Sequence, residues 1–319
     1  MKRIRRLPKV QKTNRVYGIL AVGAYMANFN ADLSGYPKTT TDNHIFGSDK
    51  ALKYPMKRMW LMQGDPILYI KSMQSMKNKE EGEKIQPRDL NERYTELFGN
   101  LDEKTSSKEV LGKLFSAIDV MNFGATFAEK KQNISITGAV QINQGRNLFE
   151  DTHVLTQEIL SPFRNSNDKS EGKLASTMGT KIVTDEAHYV YSFSVNPANY
   201  NDFIGLADGF EGYTVEAYEK FKWAARVATT AFNTNSKSGC ENELALFIEM
   251  KEDSQLYLAN LDRYVTVRKK EDRILFDLSK LANFLAPRQE EIQSVELYCN
   301  PVTVDVEYGS LNCSVYSIY

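Results

Sequence analysis

The chain holds little with which to do metal or thiol chemistry. Its 319 residues include three cysteines (Cys240, Cys299 and Cys313) and three histidines (His44, His153 and His188). Three scattered thiols exclude a disulfide framework, and without a CxxC pair the usual structural-zinc spacing is missing. GxGxxG, a P-loop, HExxH and GxSxG are all absent, so nothing supports an ordinary nucleotide enzyme or hydrolase. No apolar stretch reaches the roughly 20 residues that a membrane helix needs. Val16 to Ala27 follows basic residues as the apolar part of a secretory signal would. Gly18, Gly23, two tyrosines and the lack of a small-x-small site after it mark it instead as a buried first strand. The expectation is a soluble, cytoplasmic protein with no membrane partner, metal or cofactor.

What is present points to a folded body. Apolar residues at 42% and charged residues at 25% exclude a mostly disordered chain. The length suits one large domain with insertions or two units of ordinary size. A net charge of −1 argues against a uniformly basic nucleic-acid binder, but the charge is uneven. Residues 1–15 hold seven basic side chains and no acidic one, which leaves the remainder 33 basic against 41 acidic. A second basic cluster is Lys50, Lys53, Lys57 and Arg58. Local stripes on an acidic body suit a partner that meets one face, such as a nucleic-acid backbone. A solvated helix face and a frayed N-terminus account for the same charges.

Hydrophobic periodicity supplies the elements. Residues 14–26 are apolar on both faces, as a central strand should be. A polar loop, 28–47, leads to Ser48, which can cap a helix to about Met62, with Pro55 kinking or interrupting it. Residues 65–70 read as a short strand, Lys77–Lys84 as a solvated charge run away from the core, and 88–121 as helical. Ile134 to Ile142 alternates as a half-buried strand, and Ser161–Lys181 reads as a long exposed arm. Tyr189–Val195 alternates again, a helix carries Val215 to Phe232, and Leu244–Met250 is a second central strand. A helix near 277–285 and two β segments, 294–299 and 302–308, complete the chain. This order is the split βαβ of an α+β, ferredoxin-like or RNA-recognition (RRM) fold, which would leave one sheet face open to RNA. The aromatic signature that stacks bases on such a sheet is absent, so any bound RNA must be held by loops and helices.

Four segments carry a resemblance. They are NFNADLSGYP (28–37), TDNHIFGSDKALKYPMKRMW (41–60), ISITGAVQINQGRN (134–147), and a series running from TMGTK (177–181) through VNP (195–197) to SKSGCENELALF (236–247). In this order and spacing they resemble the backbone subunit of the CRISPR surveillance complex Cascade, the Cas-seven family, nearest its type I-B branch within the RAMP superfamily. The likeness spans roughly residues 14–250. It implies a hand-like subunit: a modified RRM palm (14–71 and 132–319), a helical finger insertion (72–131), a β-hairpin thumb (161–185), and here a basic tail (1–13). Copies would polymerise along one guide RNA (crRNA), joined by other Cascade subunits, and display it for pairing with a target DNA strand.

The resemblance also nominates residues. Lys50, Lys53 and Lys57, at i, i+3 and i+7, fall on one face of a helix and can track phosphates without reading bases. Arg58 lies beside them, and Ser48 with the first helix amides adds an anion site. Asn28 and Asn30 are RNA contacts or plain turn residues. Gly138 is an RNA contact or, like Gly145, a glycine that permits a tight turn, with Gln141 and Arg146 near them as RNA contacts. Lys173, Met178 and Lys181, in the expected thumb, are further RNA contacts, with Met178 able to wedge against a base. His44 reads as a polar surface residue. Asp32 is the one catalytic alternative: type III relatives use an aspartate on the corresponding loop to cut RNA with a metal. Here it reads as a turn residue, and the chain as a non-enzymatic scaffold.

Overall fold

β1 (Val16–Ala27) occupies the middle of the molecule because neither of its faces is polar enough to meet water. The computed structural model describes residues 10–78, 82–160 and 178–319, without the side chains of residues 77, 78 and 178. After β1, the loop 28–47 ends in the two-residue strand β2 (Phe46–Gly47) and enters α1 (Asp49–Met62). Ser48 caps this helix, its hydroxyl accepting the Ala51 N–H at 3.2 Å. α1 runs through Pro55 without interruption; the proline is buried with Leu52, Met56 and Trp60 on the inner face.

The next stretch departs from expectation. Residues 65–70 form no strand, because the Leu68 and Tyr69 amides donate to the buried carboxylate of Asp119 rather than to a ladder. The described ends of the charge run, residues 77–78 and 82–84, belong to a two-stranded ribbon, β3 (Met73–Asn78) and β4 (Gly82–Pro87). Three helices follow: α2 (Leu90–Phe98), α3 (Ser107–Ser116) and α4 (Ile118–Phe123). Tyr94, Leu114, Phe115 and Val120 from these helices join the same apolar cluster as β1 and α1, so the expected finger shares the main core.

β5 (Gly124–Phe127) pairs with β6 (Ile134–Thr137), while β7 (Val140–Ile142) joins the large sheet. The single strand expected over 134–142 is therefore broken. Gly138 sits at the break, where any Cβ would overlap the backbone of Phe123 and Gly124. β8 (Gly145–Asn147) and β9 (Val154–Leu160) both pair with β10 (Met178–Val195). The paired strands β9 and the first part of β10 flank the span expected as a thumb; residues 161–177, with Lys173, lie outside the described residues. α5 (Val215–Val227) connects β10 to β11 (Cys240–Met250).

β10 and β11 are each antiparallel to β1, which lies between them, so the β10–α5–β11 unit is a split βαβ. The chain ends in β12 (Thr266–Lys270), β13 (Arg273–Asp277), α6 (Ser279–Leu285), β14 (Ile292–Cys299), β15 (Val304–Glu307) and β16 (Ser314–Ser317). The large sheet runs β16-β14-β11-β1-β10-β8-β2, with β7 and β9 also on β10.

Alternation along β1 divides the core in two. Leu20, Val22 and Ala24 face α1 and α5, packing with Leu52, Trp60 and Phe221. Tyr17, Ile19 and Ala21 face the C-terminal elements, packing with Phe276, Leu281 and Leu285. The open sheet face expected from the element order is therefore covered by residues from the C-terminal quarter. The basic tail differs too: Lys12 is buried, paired with Glu249 and lying 5.1 Å from the centre of the Tyr218 ring. Residues 1–9 lie outside the described residues.

Within the C-terminal side of the sheet, His188 on β10 is fully buried. Its Nδ1 lies 2.7 Å from Glu243 Oε2, and the Tyr25 hydroxyl donates to Glu243 Oε1 at 2.7 Å. Glu186, itself bound by Lys269, lies 3.5 Å from His188 Nε2. Burial disfavours the imidazolium, but the Glu243 and Glu186 carboxylates outweigh it and raise the histidine pKa. A raised folded value means the pair stabilises fully below histidine's ordinary pKa of about 6.5, and that this contribution is lost as pH rises through the folded value. Denaturant midpoints should accordingly fall as pH is raised from about 6 towards 9. Glu243→Gln should flatten that slope and cost about 3 kcal/mol at the acidic end, where the charged pair is intact.

Candidate nucleic-acid interface

The outer face of α1 borders two grooves, and local backbone geometry sets where that face lies. Gly47 of β2 pairs with Gly145 of β8. A Cβ on either would overlap the buried Tyr191 side chain, so two glycines in register admit that ring at the edge of the sheet. The Tyr191 hydroxyl donates to the Ser48 carbonyl at 3.3 Å, which ties the start of α1 to β10. Asn30 fixes the loop from the other side: its Nδ2 donates to the Phe46 carbonyl at 3.0 Å, and its Oδ1 accepts the Ser48 hydroxyl at 3.0 Å. Asn28 donates to the Gly35 and Ile182 carbonyls. Both asparagines are buried and shape the loop. Asp32 closes the turn within it, Oδ1 accepting the Ser34 and Tyr36 amides at 2.8 and 2.9 Å.

One groove, of about 640 Å³, runs between α1 and the β5–β6 ribbon, lined by Lys50, Lys53, Lys57 and Phe123. The other, also about 640 Å³, runs between α1 and the 28–47 loop, lined by Lys38, Lys50 and Lys237. Asp49, Lys50 and Tyr54 border both. The helical spacing therefore does bring the three expected lysines to one concave surface.

Their states differ. Lys50 is exposed and has no side-chain partner among the described residues. Lys53 is half-buried, 2.9 Å from Asp49 Oδ2 and 5.1 Å from the centre of the Phe123 ring. Lys57 is held inside the fold: it donates to the Tyr69 carbonyl at 3.2 Å and lies 3.3 Å from Asp119, a wholly buried carboxylate. Arg58 is half-exposed, also unpartnered among the described residues, and lines neither groove.

At the α1 terminus the expected anion site is altered by Asp49. Burial pushes its pKa up, but the Lys53 ammonium, the Gln144 amide and the Lys50 N–H outweigh this and hold it below the usual carboxylate range. The first turn thus carries a fixed negative charge beside the free Lys50.

Other expected residues lie apart from these grooves. Arg146 is exposed and turns to the C-terminal side, 3.5 Å from Asp262. The Gly138 carbonyl accepts from Gln141 and Asn199. Lys181 stands opposite Gln157 on the β9–β10 ribbon, Met178 opposite Leu160, and His44 is exposed in the loop.

Sequence reading missed Lys237, Lys38 and Tyr54. Lys237 donates to the Phe29 carbonyl and sits 4.3 Å from the centre of the Phe29 ring; burial lowers its pKa. The signal was its place in the SKSGC segment, but only the fold carries that segment to the 28–47 loop. Tyr54 is partly exposed beside Lys50 and Lys53, its ring packed at 5.4 Å in a T-shaped contact with Phe232, and aromatic rings in such places are the groups on which bases stack. Among the described residues no group of three His, Cys, Asp or Glu side chains is placed to hold a metal ion, and no helix is long and apolar enough to cross a membrane.

A family model described as CRISPR-associated protein Cas7 matches residues 14–284. No curated protein matches the sequence. Among solved structures, a chain of a "CRISPR RNA-guided surveillance complex, pre-nicking" is similar with a TM-score of 0.53 and 12% identity, over 96% of each chain. A chain of a "CRISPR RNA-guided surveillance complex" gives a TM-score of 0.46 and 14% identity, over 94% of this chain and 95% of that one.

The different states of the lysines have a stability consequence. Lys57→Met leaves the Asp119 carboxylate buried without its cation and should lower unfolding free energy by about 2 kcal/mol. Lys50→Met should change it by no more than about 0.5 kcal/mol, as for an ordinary surface site. Urea denaturation of the two variants checks the difference.

Proposed function

The chain belongs to the Cas7 family of CRISPR-associated proteins, and from that premise we propose that it is the guide-RNA-binding backbone subunit of a type I Cascade surveillance complex, of the type I-B branch its motifs resemble. In this reading several copies line up along one crRNA with other Cascade subunits, and the guide pairs with a target DNA strand. The large sheet with α1 and α5 serves as palm, residues 73–127 as finger, and the β9–β10 ribbon as the base of the thumb. The work is cytoplasmic, where guide and invading DNA meet.

The observation that carries the reading beyond family membership is the shared border of the two grooves. Lys50 and Tyr54 stand between them, with Lys38 and Lys237 on one side and Lys53 on the other. Ammonium groups so placed attract a phosphate chain regardless of its bases, which a subunit loading many different spacers requires. Sequence is then read by base pairing alone, as in other RNA-guided systems. Among the expected cations of α1, Lys50 and Arg58 have no partner among the described residues and are free to meet RNA, Lys53 is held by Asp49, and Lys57 supports the surface from within.

We assign no cutting step to the chain. Both backbone contacts of Asp32 Oδ1 close its own turn. Incubation of the assembled particle with complementary RNA and Mg²⁺ should leave the RNA intact; cleavage at regular intervals, lost in Asp32→Ala, would replace the scaffold reading with the endonuclease one.

The binding claim has its own test. Lys50→Glu/Arg58→Glu should weaken binding of single-stranded RNA by at least about tenfold near 150 mM salt, equally for unrelated sequences, and flatten the log–log salt slope by about 1.4, or 0.7 per phosphate contact. Fluorescence anisotropy with two unrelated labelled RNAs reads both quantities. Unchanged affinity would contradict the assignment.

A further inference from the structure

We propose that Asp49 is an internal competitor for the guide backbone: in the unloaded subunit its carboxylate holds Lys53, and a bound phosphate takes that cation over. The inference rests on the RNA-binding reading of the α1 grooves and adds to it a residue that sets how tightly each subunit binds.

The geometry separates two kinds of ion pair on one helix face. Lys57 lies against a carboxylate with no exposure, which also accepts the Leu68 and Tyr69 amides, while its ammonium serves the Tyr69 carbonyl. Exchanging that partner would strip a buried charge of its cation, which is strongly unfavourable. The Lys53–Asp49 pair is different. Its side chains keep 17% and 25% of their exposure, both border the first groove, and among the described residues the other side-chain partner of the carboxylate is the Gln144 amide, at 3.3 Å, beside the Lys50 backbone N–H. Water or a phosphate can replace every side-chain partner of this pair without unpacking the core. Placed i, i+4 with the acid nearer the helix start, the pair also forms readily in an isolated helix.

Asp49 borders both grooves beside the unpartnered Lys50. A strand passing from one groove to the other therefore runs past the Lys53–Asp49 pair. A phosphate arriving there has to displace the carboxylate from Lys53. The effect is a lower affinity per subunit, which leaves short anions and isolated nucleotides weakly held and makes stable binding depend on a strand long enough to engage many copies.

The test uses the full chain and a labelled 30-nucleotide single-stranded RNA of mixed sequence, titrated between about 50 and 300 mM salt, where backbone contacts dominate the slope. Asp49→Asn should bind about threefold or more tightly near 150 mM and steepen the salt slope by up to about 0.7, one further phosphate contact. In a Lys53→Met background the same substitution should bring little or no gain, since the cation it releases is gone. Asp49→Ser, which keeps a residue suited to the helix start, serves if the amide unsettles the first turn. Unchanged or weaker binding by both Asp49 variants, with Lys50→Glu/Arg58→Glu still losing affinity, would overturn the inference while the RNA-binding reading stands. A full gain retained in Lys53→Met would also overturn it, because Asp49 would then act by general repulsion. Unchanged RNA affinity of the Lys50→Glu/Arg58→Glu protein would instead refute the underlying reading.

Discussion

Burial of the central sheet on both sides constrains everything else in this molecule. β1 sends Leu20, Val22 and Ala24 into the layer of α1 and α5, and Tyr17, Ile19 and Ala21 into the layer built by the C-terminal elements. Around β1 a sheet so enclosed leaves no aromatic face open on which bases could stack. Polar chemistry is pushed to the sheet edge, where β2 and β8 meet the start of α1. The cationic grooves flank that helix, and the proposed binding mode, based on phosphate charge, rests on that location.

The edge itself is held by close backbone packing. Gly47 and Gly145 make room for Tyr191, whose hydroxyl bonds the Ser48 carbonyl, while Asn30 bridges Phe46 and Ser48. These contacts fix the entry of α1 and hence the direction in which Lys50, Lys53 and Lys57 project. Three lysines at helical spacing then acquire different tasks from their neighbours. Lys57 neutralises a buried carboxylate, Lys53 is paired with the part-exposed Asp49, and Lys50 has no partner among the described residues. In the proposed reading, support, adjustment and contact are thereby distributed along two turns of one helix.

Much of this was legible in the sequence, for physical reasons that can be named. The two-sided apolar character of β1 and β11, the Ser48 cap and the spacing of the lysines are local properties, and they placed the central strands and the basic helix correctly. The covered sheet face was not legible, because alternation in β1 tells that both sides are buried but not which distant segment covers them. The strand expected at 65–70 failed for the same reason: its amides are taken by Asp119, some fifty residues away. Lys57 and Lys12 looked like surface charges until their long-range partners, Asp119 and Glu249, were in place. Lys237 escaped notice because its significance depends on packing against Phe29, more than two hundred residues earlier.

The central claim is that RNA meets the α1 edge and leaves the sheet untouched. Ultraviolet cross-linking of bound single-stranded RNA, followed by mass spectrometry of the adducted peptides, tests it most directly. Adducts are expected on residues of the 28–62 segment, Tyr54 foremost, and around Lys237. Adducts concentrated instead on the C-terminal layer, at residues 261–313, would contradict it.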